Sequence, residues 1–248
     1  MLLFAAAIGQ QACDQAHEDP VVHEQTAEVQ KEAVTEPTET VSSDTIITPE
    51  RVGLDALVDI QLVDPSIRVD LRYAGTNNFM GKKLYHDIDR LYLQKDVAVR
   101  LASCQRFLKK QHPALSLLVY DGVRPLSVQQ DMWDALDTIP VDQRVKFVSN
   151  PANGSIHNYG AAVDLTICDE NGEPLDMGAG YDDIRKIAYP KFESDFLASG
   201  ELTQAQVNNR KLLRAVMSSG GFRNIPTEWW HFNACSRAEA KKRYAILK

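Results

Sequence analysis

The sequence predicts an α+β domain with a mainly antiparallel central sheet flanked by helices, preceded by an acidic segment with no core of its own. Three observations lead there. From about Arg51 onward, strand-like and helix-like stretches mix without the regular βαβ spacing of a parallel sheet. Hydrophobic residues make up 44% and charged residues 25% of the 248 positions, ordinary values for a folded domain. Between Asp14 and Glu50, ten acidic residues stand against a single basic one, Lys31, with no aromatic residue among them. Such a stretch cannot bury enough apolar surface to offset the entropy of ordering it.

Three regions follow. Residues 1–13 open with the apolar run Leu2 to Ile8 and reach Cys13, resembling the tail of a secretory signal that ends at a lipid-bearing cysteine, without a positive n-region and with Gln10 where such signals carry an aliphatic residue. The expectation is an exported protein, periplasmic or membrane-anchored through Cys13. Residues 14–50 read as a disordered acidic tether, whose His17 and His23 are poor candidates for metal ligands. Residues 51–248 read as the folded domain. Most of the net charge of −7 belongs to the tether, so the domain itself is close to neutral and offers no strong field to nucleic acid. No run approaches the ~18 apolar residues of a membrane-spanning helix.

Along the domain, Ile67 to Tyr73 alternates and reads as a strand. Val97, Leu101, Cys104 and Leu108 recur at helical spacing, giving a helix over 90–111. Leu115 to Tyr120 is a short apolar strand ending in Asp121-Gly122, and Pro125 fits the first turn of a helix running to Leu136. Ala161 to Ile167 is a further strand, Asn208 to Ser219 a helix stopped by Gly220-Gly221, and Glu228 to Phe232 an extended aromatic segment. Cys104, Cys168 and Cys235 form no CxxC pair. They permit one disulfide or none, the alternative being free, small apolar groups.

Two clusters carry chemistry. His157, in a loop marked by Gly154 and Gly160, precedes Asp164 at the start of a strand; Glu228 and His231 bracket two tryptophans. Two histidines, an aspartate and a nearby glutamate are what a catalytic zinc requires: three protein ligands, a fourth position left to water, and a carboxylate outside the ligand set to take the proton. Glu228 and His231 would alternatively be a satisfied polar pair within an aromatic core. On an ideal strand they point to opposite faces. Facing one metal therefore calls for a turn or bulge at Thr227–Trp229, beside Pro226.

The combined pattern resembles the D-alanyl-D-alanine dipeptidases, zinc peptidases related to the vancomycin-resistance dipeptidase and to D,D-carboxypeptidases. Ser155-x-His157-x-x-Gly160-x-Ala162-x-Asp164 and Glu228-Trp-Trp-His231 carry the resemblance. Arg72-Tyr73-Ala74, Asn77-Asn78-Phe79-x-Gly81, Tyr120-Asp121-Gly122-Val123-Arg124-Pro125 and Met177-Gly178-Ala-Gly-Tyr181-Asp182 extend it over residues 55–240. It implies the zinc D,D-peptidase fold shared with Hedgehog-like domains and one zinc per chain on His157, Asp164 and His231. It implies Glu228 as base and Arg124 as oxyanion stabiliser, and Ser155, Asp182 and Tyr73 in substrate binding. Arg124 would otherwise be a surface ion pair, and Asp182 an ordinary turn carboxylate. The implied activity is hydrolysis of the dipeptide D-Ala-D-Ala, in cell-wall peptide turnover or glycopeptide resistance. The alternatives are a D,D-carboxypeptidase of longer peptidoglycan peptides and a non-catalytic, zinc-stabilised wall-binding module.

Overall fold

The structure, a computed structural model, describes residues 57–145 and 147–248. The expected signal segment, the acidic tether and the first residues of the domain lie outside the described residues. In chain order, β1 (Leu57–Asp59) leads into α1 (Ile60–Val63) and the short β2 (Arg68–Val69), then β3 (Tyr92–Gln94), α2 (Lys95–Gln111) and β4 (Ser116–Asp121). Two helices follow, α3 (Leu126–Asp134) and α4 (Val141–Arg144), then β5 (Ala162–Cys168), α5 (Glu193–Ser199) and α6 (Gln204–Ser219). The hairpin of β6 (Arg223–Ile225) and β7 (Glu228–Asn233) precedes the last helix, α7 (Arg237–Arg243).

The main sheet has the order β2-β4-β5-β7-β6, and β1 pairs with β3 in a separate two-stranded sheet. Among the described residues only the β2–β4 pair is parallel; the others are antiparallel. The α+β expectation with a mainly antiparallel sheet therefore describes the fold. Strand β5 sits at the centre and is buried along its whole length. Side chains alternate across it. Val163, Leu165 and Ile167 join Leu101, Leu108, Leu213 and Val216 from α2 and α6 in one core cluster. Each such side chain contributes about 1.5–3 kcal/mol when fully buried. Asp164 and Thr166 point to the opposite face, so the chemistry is built on the side of the sheet away from α2 and α6.

Three local expectations are corrected. The strand read over 67–73 pairs only at Arg68 and Val69, and residues 72–74 form a 3-10 turn. The pairing stops at Val69↔Val119, next to the point where the register of β4 against β5 shifts between Val119 and Asp121. The edge strand loses its partner there and turns. The helix read over 90–111 begins at Lys95, because Tyr92–Gln94 pairs with β1. A short apolar run does not by itself separate strand from helix. Pro125 stands just outside α3, as its cap, rather than in its first turn. Cys104, Cys168 and Cys235 are free, which settles the disulfide alternative. Among the described residues no helix is long and apolar enough to cross a membrane.

Candidate active site

Asp164 on β5 lies directly opposite His231 on β7 in the antiparallel register. His157 reaches them from the 3-10 turn Ile156–Tyr159, which Ser155 caps: its Oγ accepts the His157 amide, and the Asn158 side chain accepts the Ser155 amide. The turn ends at Gly160 with φ +63, where a Cβ would meet Leu57 at 2.8 Å. Only glycine suits both the left-handed backbone and that close approach.

Three acceptor atoms converge. His157 Nε2 is 3.1 Å from His231 Nδ1, His231 Nδ1 is 2.9 Å from Asp164 Oδ1, and His157 Nε2 is 3.3 Å from Asp164 Oδ1. Four ligands at ~2.0–2.1 Å around a tetrahedral zinc stand about 3.3–3.4 Å from one another. The three atoms therefore fit such an ion closely. The tautomers agree: His157 Nδ1 donates to the Gly122 carbonyl at 2.7 Å, and His231 Nε2 donates to Asn233 Oδ1 at 2.9 Å. Each neutral ring then turns its lone pair toward the common centre, as partners behind metal ligands do. Among the described residues, these three bring their ligand atoms within 4.8 Å of one another, close enough to hold a metal ion. Burial opposes charge on His231, but the hydrogen bond and charge of Asp164 outweigh it and push the imidazole up to about 9. Burial likewise opposes the Asp164 carboxylate, and the two histidines hold it well below the usual range. The cluster is a place that demands positive charge.

Glu228 begins β7, with its Oε2 3.8 Å from His231 Nδ1. Residues Ile225 and Glu228 pair across a tight turn, while Asn224 pairs with Phe232, so Trp229–His231 bulge away from β6. The irregularity expected at Thr227–Trp229 is thus a turn followed by a bulge. It brings Glu228 and His231 to one side. The Asn224 amide fills the bulge, donating to the carbonyls of Glu228 and His231, both at 2.8 Å. Burial raises the Glu228 carboxyl above its ordinary value, although 34% of the side chain still meets solvent.

Arg124 is buried, not a surface ion pair. Its Nε and Nη2 donate to Asp121 Oδ2 at 3.1 and 2.6 Å, and Nη2 lies 3.5 Å from Asp164 Oδ2. The register shift in β4 turns Asp121 toward Asp164, and Tyr85 holds its other oxygen at 2.5 Å. Bulges beside active sites re-aim side chains in this way. The Arg124 amide donates to the His157 carbonyl at 3.1 Å and the Asn158 amide group donates to the Arg124 carbonyl at 2.8 Å. The two sequence motifs are thereby tied together.

Asp182 is the one non-glycine residue with positive φ (60°) among the described residues. Tyr73 Oη donates to its carboxylate at 3.2 Å. Burial, then the charge of Asp164, pushes the Asp182 carboxyl up to about 7. All eight residues named from the sequence line one cavity of about 200 Å³, below the ~300–1,000 Å³ of sites for drug-sized ligands. Four supporting residues received no role from the sequence: Asp121, Tyr85, Asn233, and Tyr181, whose Oη donates to Asp164 Oδ2 at 3.2 Å. Asn233 was within reach of the strand rule, because residues i and i+2 share a face. Tyr85 and Tyr181 act across contacts 36 and 17 residues apart, whereas Asp121 lies three residues from Arg124 and is aimed by the register shift of β4.

The family model described as D-ala-D-ala dipeptidase, of peptidase family M15, matches residues 54–246. The D-alanyl-D-alanine dipeptidase of Escherichia coli K12 is 37% identical over 176 residues, covering 71% of this chain and 83% of that protein. The D-alanyl-D-alanine dipeptidase of Synechocystis is 29% identical over 168 residues, covering 57% of this chain and 68% of that protein. Among solved structures, the LdcB LD-carboxypeptidase aligns with a TM-score of 0.43 at 19% identity, covering 76% of this chain and 72% of that one.

Proposed function

The chain belongs to the D-Ala-D-Ala dipeptidase family of M15 peptidases, and from that premise we propose that its cavity hydrolyses D-Ala-D-Ala to two D-alanines with one zinc held by His157, Asp164 and His231. The observation that carries this reading is the convergence of three acceptor atoms whose histidine tautomers are set from behind by Gly122 and Asn233. A zinc ion there supplies a Lewis acid for the peptide carbonyl and lowers the pKa of an attacking water. The residues of the chain do the rest. Glu228, outside the ligand set, takes the proton of the attacking water and returns it to the nitrogen of the leaving D-alanine. Arg124, kept cationic and aimed by Asp121, donates to the oxygen on which negative charge develops. Asp182 pairs with the free ammonium of the dipeptide, with Tyr73 orienting the carboxylate and Ser155 lining the same cavity.

A structural zinc site needs neither a free carboxylate beside the metal nor a buried arginine, so Glu228 and Arg124 favour catalysis over a wall-binding module. Asp182 favours the dipeptide over a longer substrate, whose amine is already acylated. The exported location proposed from Leu2 to Ile8 and Cys13 would direct the activity to peptides released in wall turnover, rather than to a cytoplasmic precursor pool. The test is an assay of purified, zinc-loaded protein against D-Ala-D-Ala, L-Ala-L-Ala and Gly-D-Ala-D-Ala. Turnover of the first above both others is expected. Preference for the tripeptide would move the reading to a carboxypeptidase.

A further inference from the structure

We infer that Phe79 is a specificity-determining residue: with Asp182 it partitions the substrate cavity from a larger neighbouring groove, and so restricts the enzyme to a free dipeptide. This inference rests on the dipeptidase reading of the cavity. Phe79 and Asp182 are the two residues that line both the cavity of about 200 Å³ and a second, more open groove of about 770 Å³. The space beyond the proposed ammonium site is therefore not solid protein. It is a groove large enough for further residues of a peptide, bordered by the same two residues.

The partition is held firmly. The Phe79 amide donates to Asp182 Oδ2 at 3.4 Å, and Tyr73 holds the same carboxylate. The Asn78 side chain donates to the carbonyls of Arg72, Gly75 and Lys82, each at 2.9 Å, and accepts the Met80 amide at 3.0 Å. The backbone that presents Phe79 is thus pinned by its neighbour and does not depend on the phenyl ring. The two residues divide the exclusion between them. Asp182 supplies the charge that favours a free ammonium, and Phe79 supplies the bulk in the path of any acyl extension. The groove is otherwise suited to a peptide, with Arg72, Asn77 and Tyr120 along its walls.

The test compares kcat/KM for Gly-D-Ala-D-Ala and for D-Ala-D-Ala in the zinc-loaded full chain. Opening a path for a few heavy atoms is worth roughly tenfold or more in discrimination. Phe79→Ala is expected to raise the tripeptide-to-dipeptide ratio by at least that much, while Phe79→Leu, which keeps most of the bulk, stays near wild type. Asn77 is exposed and lines only the groove. Asn77→Trp added to Phe79→Ala is expected to return the ratio toward wild type by refilling the groove. Zinc content per chain reports an intact site, and Phe79→Val serves as the milder truncation if the alanine variant is unstable. An unchanged ratio in both metal-loaded truncations overturns the partition, as does a wild-type enzyme that cleaves the tripeptide as readily as the dipeptide. A wild-type enzyme inactive on the dipeptide instead overturns the functional reading beneath it.

Discussion

His157 Nε2 and His231 Nδ1 lie 3.1 Å apart, and the outward nitrogen of each ring is committed to another acceptor. Two lone pairs and a carboxylate oxygen thus share one small buried volume. Burial opposes a proton on His231, but the hydrogen bond and charge of Asp164, with the charge of Glu228, outweigh it and push the imidazole up to about 9. A divalent ion held by His157, Asp164 and His231 would take the place of that proton and satisfy all three groups at once.

Asn233 is the support for this arrangement that is easiest to remove. Asn233→Leu deletes the acceptor of the His231 Nε2 hydrogen at 2.9 Å and leaves the ligand set intact. Loss of such a supporting partner typically costs about 10–100-fold in metal affinity. Competition titrations with a chromogenic chelator should show zinc affinity lowered by that order. Unchanged affinity would mean that the ring orientation is set elsewhere.

Glu228 is the proposed base and lies outside the ligand triad, with its Oε2 3.8 Å from His231 Nδ1. Glu228→Gln should therefore retain one zinc per chain by elemental analysis while losing ~10²–10⁴-fold in kcat, the usual worth of a positioned acid–base group. Near-normal turnover in the metal-loaded variant would remove Glu228 from the mechanism.

Blocking the substrate amine tests Asp182. A buried carboxylate without its partner costs several kcal/mol. N-acetyl-D-Ala-D-Ala is expected to be poorer than D-Ala-D-Ala by roughly a hundredfold, which is ~3 kcal/mol at ~1.4 kcal/mol per factor of ten. Asp182→Ala should narrow the gap by harming the free dipeptide more than the blocked one. Equal kcat/KM values for the two substrates in the native enzyme would leave Asp182 a structural residue.

The same carboxylate makes a stability prediction. In the metal-free protein burial, then Asp164, pushes Asp182 up to about 7, against ~3.9 in an unfolded chain. Between those values the folded state binds the extra proton. Stability is therefore lost as pH rises through that window and stays lost above it. Asp182→Asn removes the titration and suits the φ of 60°. Its melting temperature should exceed that of wild type at pH 8, and the difference should shrink as the pH is lowered toward 4. A difference independent of pH would show that Asp182 is not strained as a charged group.

The amino-acid sequence by itself determined the fold class, the approximate elements and the cast of the site. Alternation along Ala162–Cys168 already separates the apolar row from Asp164, and residue type with local spacing brings His157, Glu228 and His231 forward. Such signals are local, because a period of two or of 3.6 residues is written within one element. Tertiary structure decided how those residues meet. The shifted register beside Tyr120 turns Asp121 under Arg124, the bulge after Glu228 brings that side chain to the face of His231, and Gly122 sets the His157 tautomer across 35 residues. Whether Arg124 is a surface ion pair or a buried donor was likewise open until β4 and β5 were paired. Each outcome depends on which strands lie side by side and where their hydrogen-bond ladders slip. That choice is made by packing of the whole sheet against α2 and α6, where burial free energy is summed over distant residues and no single segment carries the information.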